Sequence, residues 1–141
     1  MASKVRMTWR GHRLVQQVRA GAQSGAQRAA DLFIEEARRL IIETPKSGVI
    51  YYRGALGWRQ ASAPGEPPAN LTGLLANSFK INTSRTGTVV TVSITNTAPY
   101  AQFLEFGTRK MEPRPFMRAA YANVKDRMVQ VIRGEIQKKV T

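Results

Sequence analysis

The sequence predicts an α+β fold: one domain, 1–141, with long helices at both ends and a small antiparallel sheet and an extended loop arm between them. Apolar residues recur at helical spacing from His12 to Glu43 and again beyond Pro115. Two intervening segments, near 78–84 and 88–96, instead alternate apolar and polar residues with a period of two. A chain of 141 residues is long enough for one hydrophobic core and short for two.

The first long helix is predicted over residues 12–43, because the ring of Pro45 disfavours helical geometry at Thr44. Gly21 and Gly25 each cost about 1 kcal/mol relative to alanine inside a helix. The first half therefore kinks, frays or lets another backbone approach closely. An unbroken helix of about 32 residues would be roughly 48 Å long, against a diameter of about 37 Å for a compact globule of this chain length. We expect a neighbouring subunit to cover the overhang, which favours an oligomer.

Residues 45–70 are rich in glycine and proline and have no clear periodicity, which predicts a long loop. A loop of this length in a compact domain is either a functional arm or a disordered segment. Tyr51, Tyr52 and Trp58 favour the arm, because disordered segments contain few large aromatic residues.

The two alternating segments are predicted to pair as an antiparallel hairpin, since residues 85–87 supply a turn that contains glycine. A short helix follows from Pro99 to Phe106, with Gly107 at its C-terminal cap. A basic connector then leads to the second long helix, which is predicted to begin at Pro115 and to carry a mostly cationic polar face.

The composition is strongly basic: 22 lysines and arginines against 9 acidic residues give a formal net charge of +13. The N-terminal segment 1–25 contains five basic residues, including Lys4, and no acid. Such an imbalance predicts a polyanionic or acidic neighbour. The chain has no cysteine, which excludes disulfides and cysteine-ligated metals. Without a signal peptide or an apolar run of membrane-spanning length, we expect a soluble protein.

No arrangement of residues in the sequence is typical of catalysis, so we predict that the protein is not an enzyme and has no cofactor or metal. The single histidine, His12, has no carboxylate neighbour in the sequence and is interpreted as a solvated residue at a helix start. The pair Glu35-Glu36 is followed by arginines at helical spacing, and surface salt bridges explain it better than acid–base chemistry does.

Glu105 is the one acid inside an apolar segment, and its neighbours there are Tyr100, Phe103, Leu104 and Phe106. Burial that raised the pKa of Glu105 would mark a functional site. Pairing with an arginine is the favoured alternative, and it would make the segment a structural clasp. The candidate partners are Arg109, Arg114 and Arg118.

Four pieces of the chain, in order, resemble one protein family. They are Ala-Pro-Gly-Glu-Pro-Pro-Ala at 63–69, Thr-Gly-Leu-Leu-Ala-Asn-Ser-Phe at 72–79, Tyr-Ala-Gln-Phe-Leu-Glu-Phe-Gly-Thr at 100–108 and Arg-Pro-Phe-Met at 114–117. The family is that of the gene-product-ten-like neck proteins of tailed double-stranded-DNA bacteriophages. Its members are head-to-tail connector or tail-completion proteins.

The resemblance implies a small sheet packed against the two long helices, and a non-enzymatic subunit of a homo-oligomeric ring in the neck of the virion. The implied partners are identical subunits, adjacent neck rings such as an adaptor or stopper, and a tail terminator or tail tube. Double-stranded DNA would pass through the lumen without sequence-specific binding. Assembly would take place in the host cytoplasm. No cofactor or membrane is implied.

The residues assigned to subunit contacts or to the structural motif are Tyr100, Phe103, Leu104, Glu105, Phe106, Gly107, Arg114, Pro115 and Phe116, with Tyr51, Tyr52 and Trp58 on the arm. The alternative function is a small basic protein that binds nucleic acid through its phosphate backbone. Charge alone does not separate these two functions, although the sequence contains no recognisable helix-turn-helix or RNA-recognition motif.

Overall fold

The structure, a computed structural model, describes residues 6–141, so the part of the basic N-terminal segment at residues 1–5 lies outside the described residues. It confirms the α+β class. The helices are α1 (Gly11–Ile42), α2 (Leu74–Asn77), α3 (Ala101–Phe106) and α4 (Met117–Val140), and the strands are β1 (Ile50–Tyr52), β2 (Trp58–Gln60), β3 (Phe79–Thr86) and β4 (Val89–Asn96).

The long helices α1 and α4 pack against each other, and two glycines set how closely they approach. A Cβ atom placed on Gly21 would lie 2.6 Å from the Cα atom of Ile136, and one placed on Gly25 would lie 2.7 Å from the Cα atom of Ile132. The glycines therefore serve the close approach of a second backbone, which was one of the three predicted outcomes. Along this part of α1, α4 of the same chain supplies cover that the sequence analysis expected from a neighbouring subunit.

The hairpin β3–β4 pairs antiparallel, from Phe79 opposite Asn96 to Thr86 opposite Val89. The predicted turn is shifted by about one residue: β3 continues to Thr86, and Gly87, with φ of 58°, begins a two-residue turn that needs positive φ. One face of the hairpin packs on α1 through partly buried apolar residues, while the other face is exposed and carries mostly polar side chains, with Val89 as an apolar exception.

The arm, residues 45–70, has more structure than the loop predicted from the sequence. Strands β1 and β2 pair antiparallel around a short 3₁₀ turn at Gly54–Leu56, and the rings of Tyr52 and Trp58 pack edge to face with centroids 5.5 Å apart. Strands of three residues are too short to give a period-two pattern, which explains why the sequence did not reveal them.

The core consists of two neighbouring clusters. The first joins α1 to α4 and the hairpin through Phe33, Ile34, Ala37, Leu40, Ala120 and Val124. The second joins the end of α1 to α2, α3 and the start of α4 through Ile41, Leu75, Ala76, Ala98, Ala101 and Phe116. Helix α2, which the sequence analysis did not predict, supplies two of these buried residues.

Candidate functional site

The carboxylate of Glu105 holds the start of α4. One of its oxygens accepts hydrogen bonds from the backbone N–H groups of Phe116 (2.9 Å) and Met117 (3.0 Å), and the other accepts from the backbone N–H of Arg118 (3.0 Å). The first N–H groups of a helix have no partner within the helix, so this carboxylate caps α4 from a distant helix, α3. The capping explains why α4 begins at Met117 and not at the predicted Pro115.

Arg118 completes the clasp and is the candidate arginine that pairs with Glu105. Its Nε atom lies 3.1 Å from a Glu105 carboxylate oxygen, and its terminal nitrogen donates to the Glu105 backbone carbonyl at 2.6 Å. The guanidinium also lies over the ring of Phe106, 5.6 Å from its centroid. Arg114 instead donates through Nε to the backbone oxygen of Ser62 at 3.1 Å.

The environment of Glu105 keeps the side chain charged. Burial, which leaves the residue only 5 % exposed, works to raise the pKa of Glu105. The backbone N–H groups of Phe116, Arg118 and Met117 and the Arg118 side chain outweigh burial, so that the pKa of Glu105 lies below its ordinary value. The alternative prediction, that burial raises the pKa of Glu105 and marks a functional carboxyl group, is therefore wrong.

The other residues of the motif divide between the interior and the surface. Phe116 is fully buried and packs edge to face on Phe79, with ring centroids 6.1 Å apart. Gly107 ends α3 with φ of 76°, and a Cβ there would lie 2.8 Å from the backbone oxygen of Met111. Pro115 and Leu104 are partly buried. Three aromatic residues remain exposed on this side of the molecule: Tyr100, Phe103 and Phe106.

A second carboxylate, that of Glu66, fixes the base of the arm. It accepts hydrogen bonds from the backbone N–H groups of Ser47 (3.0 Å) and Ala63 (2.8 Å) and from the Ser47 hydroxyl. These groups lower the pKa of Glu66, with the Ser47 hydroxyl as the largest cause. Because Ser47 and Ala63 flank the hairpin of the arm, one surface carboxylate ties its two ends together.

The arm carries its large side chains toward solvent. Tyr52 is 63 % exposed and Trp58 is 70 % exposed, and Ile50 beside them is also exposed. Tyr51 faces the other way and lines a groove of about 620 Å³ between the arm and the body of the domain. The arm thus presents an apolar surface and encloses a groove, both of which are suited to contacts with another protein.

Two further carboxylates have structural partners within the chain. Glu36 pairs with Arg39 at 2.7 Å, which confirms the expected surface salt bridge, and the hydrogen bond from Arg39 lowers the pKa of Glu36 to about 2. Glu135 on α4 accepts from Ser24 at 3.0 Å and from Arg28 at 2.7 Å, both on α1. Within residues 6–141, no three histidine, aspartate or glutamate side chains lie close enough to share a metal ion.

Two of these structural roles, those of Glu66 and Glu135, were not predicted from the sequence. Each is the only acid in a stretch of otherwise neutral or basic residues, and that isolation was the available signal. Their partners lie up to 111 residues away along the chain, so spacing within the sequence gave no indication of them. Among the described residues, no helix has the length and apolar character needed to cross a membrane.

Comparison with protein families gives a match over most of the chain. The family described as "Bacteriophage HK97-gp10, putative tail-component" matches residues 6–107, which include α1, the arm, the hairpin and α3. Searches of curated proteins and of solved structures gave no match. The matched range covers more than half of the chain and includes Glu105, although α4 lies beyond it.

Proposed function

Because the chain belongs to the HK97-gp10-like family of bacteriophage tail components, we propose that it is a ring subunit of the neck, which completes the tail or joins it to the head. The family assignment makes it a structural protein of the phage particle. The finer proposal is that identical copies form a closed ring around the channel through which the genome passes.

The observation that carries this proposal is the family match over residues 6–107, and the surface of the protein supports it. Exposed aromatic residues occur both on the arm and around α3, where Phe103 is 53 % exposed and Phe106 is 67 % exposed. A ring subunit needs two contact surfaces, one for each neighbour. The carboxylates with shifted pKa values, Glu105 among them, are engaged in holding elements of the fold together.

The proposed partners are identical subunits, an adjacent adaptor or stopper ring, and the tail terminator or tail tube. Double-stranded DNA would pass through the lumen without sequence-specific binding. A lumen that neutralised many phosphates would bind the genome tightly and slow its passage. We therefore expect most of the basic excess to face other proteins or the outer rim of the ring, with a minority of it in the channel.

The test is a phage in which the gene is interrupted and then restored from a plasmid. We expect the interrupted phage to accumulate DNA-filled heads and unjoined tails in electron micrographs, and the plasmid to restore complete particles. Cryo-electron microscopy of the restored neck should place the chain in a ring. Normal particles in the absence of the chain, or a neck that lacks it, would overturn the proposal.

The net charge of +13 supports a second candidate, a basic protein that binds nucleic acid through phosphate contacts. Gel filtration combined with a DNA mobility shift separates the two functions. A monomer that shifts duplex DNA of any sequence at physiological salt would favour the second. A discrete ring, or a monomer that joins a purified tail, would favour the first.

A further inference from the structure

The groove between the arm and the body has a one-sided charge. Three arginines line it: Arg53 and Arg59 from the arm, and Arg114 from the segment before α4. None of its lining residues is acidic. Two tyrosines and several leucines form much of the remaining wall, so the groove combines positive charge with apolar surface.

These arginines have no carboxylate partner within residues 6–141, where the salt bridges involve Arg28, Arg39, Arg118 and Lys138. Arg114 uses its Nε–H on the Ser62 carbonyl, which leaves its terminal nitrogens available. Arg59 has only a long contact of 3.5 Å to a neighbouring carbonyl. Unpaired guanidinium groups around one groove are suited to binding carboxylates, which they can hold through two hydrogen bonds each.

The nine acidic residues of the chain differ in whether they form hydrogen bonds within it. Four of the nine form hydrogen bonds inside the described part of the chain: Glu36, Glu66, Glu105 and Glu135. Three of the others lie on the outer side of α1 and line one shallow concavity: Asp31, Glu35 and Glu43. Two arginines line the same concavity, and both have partners elsewhere: Arg38 donates to the Ala76 carbonyl at 2.8 Å, and Arg39 pairs with Glu36. Ile42, which is 55 % exposed, lies among them. We call this surface the acidic α1 face.

We propose that the arginine groove of one copy receives the acidic α1 face of the next copy, in a head-to-tail contact that closes the ring. This inference rests on the proposed ring function. Copies that each carry a net charge of +13 repel one another, so contact between them needs local surfaces of opposite charge. Contact between two different surfaces generates a ring when the rotation between copies closes, whereas one self-complementary surface gives a dimer. In this contact Ile42 meets the apolar wall of the groove.

The same groove is less suited to a nucleic-acid backbone. Leu71, Leu74 and Met111 are among its lining residues, and phosphates gain nothing from contact with apolar side chains. A carboxylate carried on a helix beside an isoleucine matches both properties of the groove. The second copy is therefore the occupant that the charges and the apolar surface favour together.

The first experiment uses the absence of cysteine from the chain. A variant with Arg59→Cys and Asp31→Cys is built into phage particles, which are then treated with a short bismaleimide. We expect a ladder of covalent multimers in denaturing gels, because each cross-link joins two copies. The control variant pairs Lys125→Cys on exposed α4 with Asp31→Cys and should give no ladder. Particles that contain the first variant but give no ladder would overturn this inference and leave the proposed function intact. Complete, infectious particles that lack the chain altogether would refute the proposed function.

The second experiment reverses the charges in purified protein and in complemented phage. Arg53→Glu with Arg59→Glu, and separately Asp31→Arg with Glu35→Arg, should each weaken self-association by more than about tenfold. An equimolar mixture of the two variants should assemble again, with the variants alternating in a ring of even number. One chain that carries all four substitutions should also assemble. Lys125→Glu with Arg133→Glu changes the charge equally, away from both surfaces, and should leave assembly unchanged.

Two results would overturn the charge pairing. The first is a loss of assembly that neither the mixture nor the fourfold variant restores, since the groove would then receive a different virion protein or DNA. The second is assembly unaffected by either reversal. Circular dichroism of each variant checks that the fold is retained.

Discussion

Glu105 and Glu66 both join separate segments of the chain through their carboxylates, but Glu105 lies in the interior and Glu66 lies at the surface. Each carboxylate accepts hydrogen bonds from backbone N–H groups that lie elsewhere in the sequence. Glu105 is 5 % exposed and joins α3 to the start of α4, beside the fully buried Phe116. Glu66 lies at the surface and joins the two ends of the arm, whose aromatic side chains face solvent.

The two sites differ in their role. Glu105 stabilises the fold, whereas Glu66 positions a contact surface. Removing Glu105 would leave one buried and two partly buried N–H groups without an acceptor, and that cost falls on the whole domain. Removing Glu66 exposes its partners to water, which replaces the lost hydrogen bonds. The first carboxylate therefore contributes to global stability, and the second controls how the arm is presented.

The largest effect is expected for Glu105→Ala, which should lower the free energy of unfolding by about 3 kcal/mol, since the start of α4 loses its cap and its buried acceptor. Urea denaturation followed by circular dichroism measures it. Arg118→Ala serves as the control and should cost clearly less, because the Arg118 side chain is 61 % exposed. Equal losses for the two variants would mean that the charge pair, and not the backbone cap, stabilises the clasp.

Acid should remove the contribution of Glu105. Its pKa in the folded state is lowered below the ordinary value of 4.5, so its stabilisation is fully present above that pH and is lost as the pH falls through the folded pKa. The difference in unfolding free energy between the wild type and Glu105→Gln should be constant near neutral pH and shrink below about pH 4.5. A difference that persists unchanged in acid would show that the charge of Glu105 is not what stabilises the clasp.

Glu66→Ala should act locally. The ends of the arm lose their common acceptor, so trypsin should cleave after Arg53 and Arg59 several-fold faster while the thermal midpoint changes little. Mass spectrometry of the early fragments identifies the cleaved bonds. Cleavage that begins instead within α4 would mean that Glu66 supports the whole domain, and the contrast with Glu105 would fail.

The smallest effect on stability is expected for Trp58→Ala, about 0.5 kcal/mol, because the side chain is 70 % exposed and loses only its edge-to-face packing on Tyr52 within the arm. The same substitution should reduce incorporation of the chain into phage particles, measured by immunoblot of purified virions. Val89→Ala removes another exposed apolar residue, away from the arm, and is the matched control. Normal incorporation of Trp58→Ala would mean that the arm is not one of the surfaces used in assembly.

The sequence was sufficient for elements whose cause is local. The period of the apolar residues predicted α1 to within a residue at each end, and the glycine at position 87 indicated the hairpin. Gly107 was predicted as the cap of α3 and is one. In each case the residues that determine the element lie within it or directly beside it.

The sequence was insufficient wherever a distant partner decides the outcome. The start of α4 depends on a carboxylate 11 residues earlier, and the choice of Arg118 over Arg109 and Arg114 depends on how α3 meets that helix. The hairpin of the arm is held at its base by Glu66. Gly21 and Gly25 could have bent α1 or allowed another backbone to approach it closely. The outcome depends on α4, which lies more than 100 residues away along the chain.

Those two glycines constrain how the gene can change over time. Every missense change of a glycine codon adds at least a Cβ atom, and at positions 21 and 25 that atom would press on the main chain of the facing helix, which no rotamer change can relieve. The distance between α1 and α4 can therefore change during evolution only if residues on both helices are substituted together. Selection for a functional particle should keep glycine at both positions while the alanines around them vary.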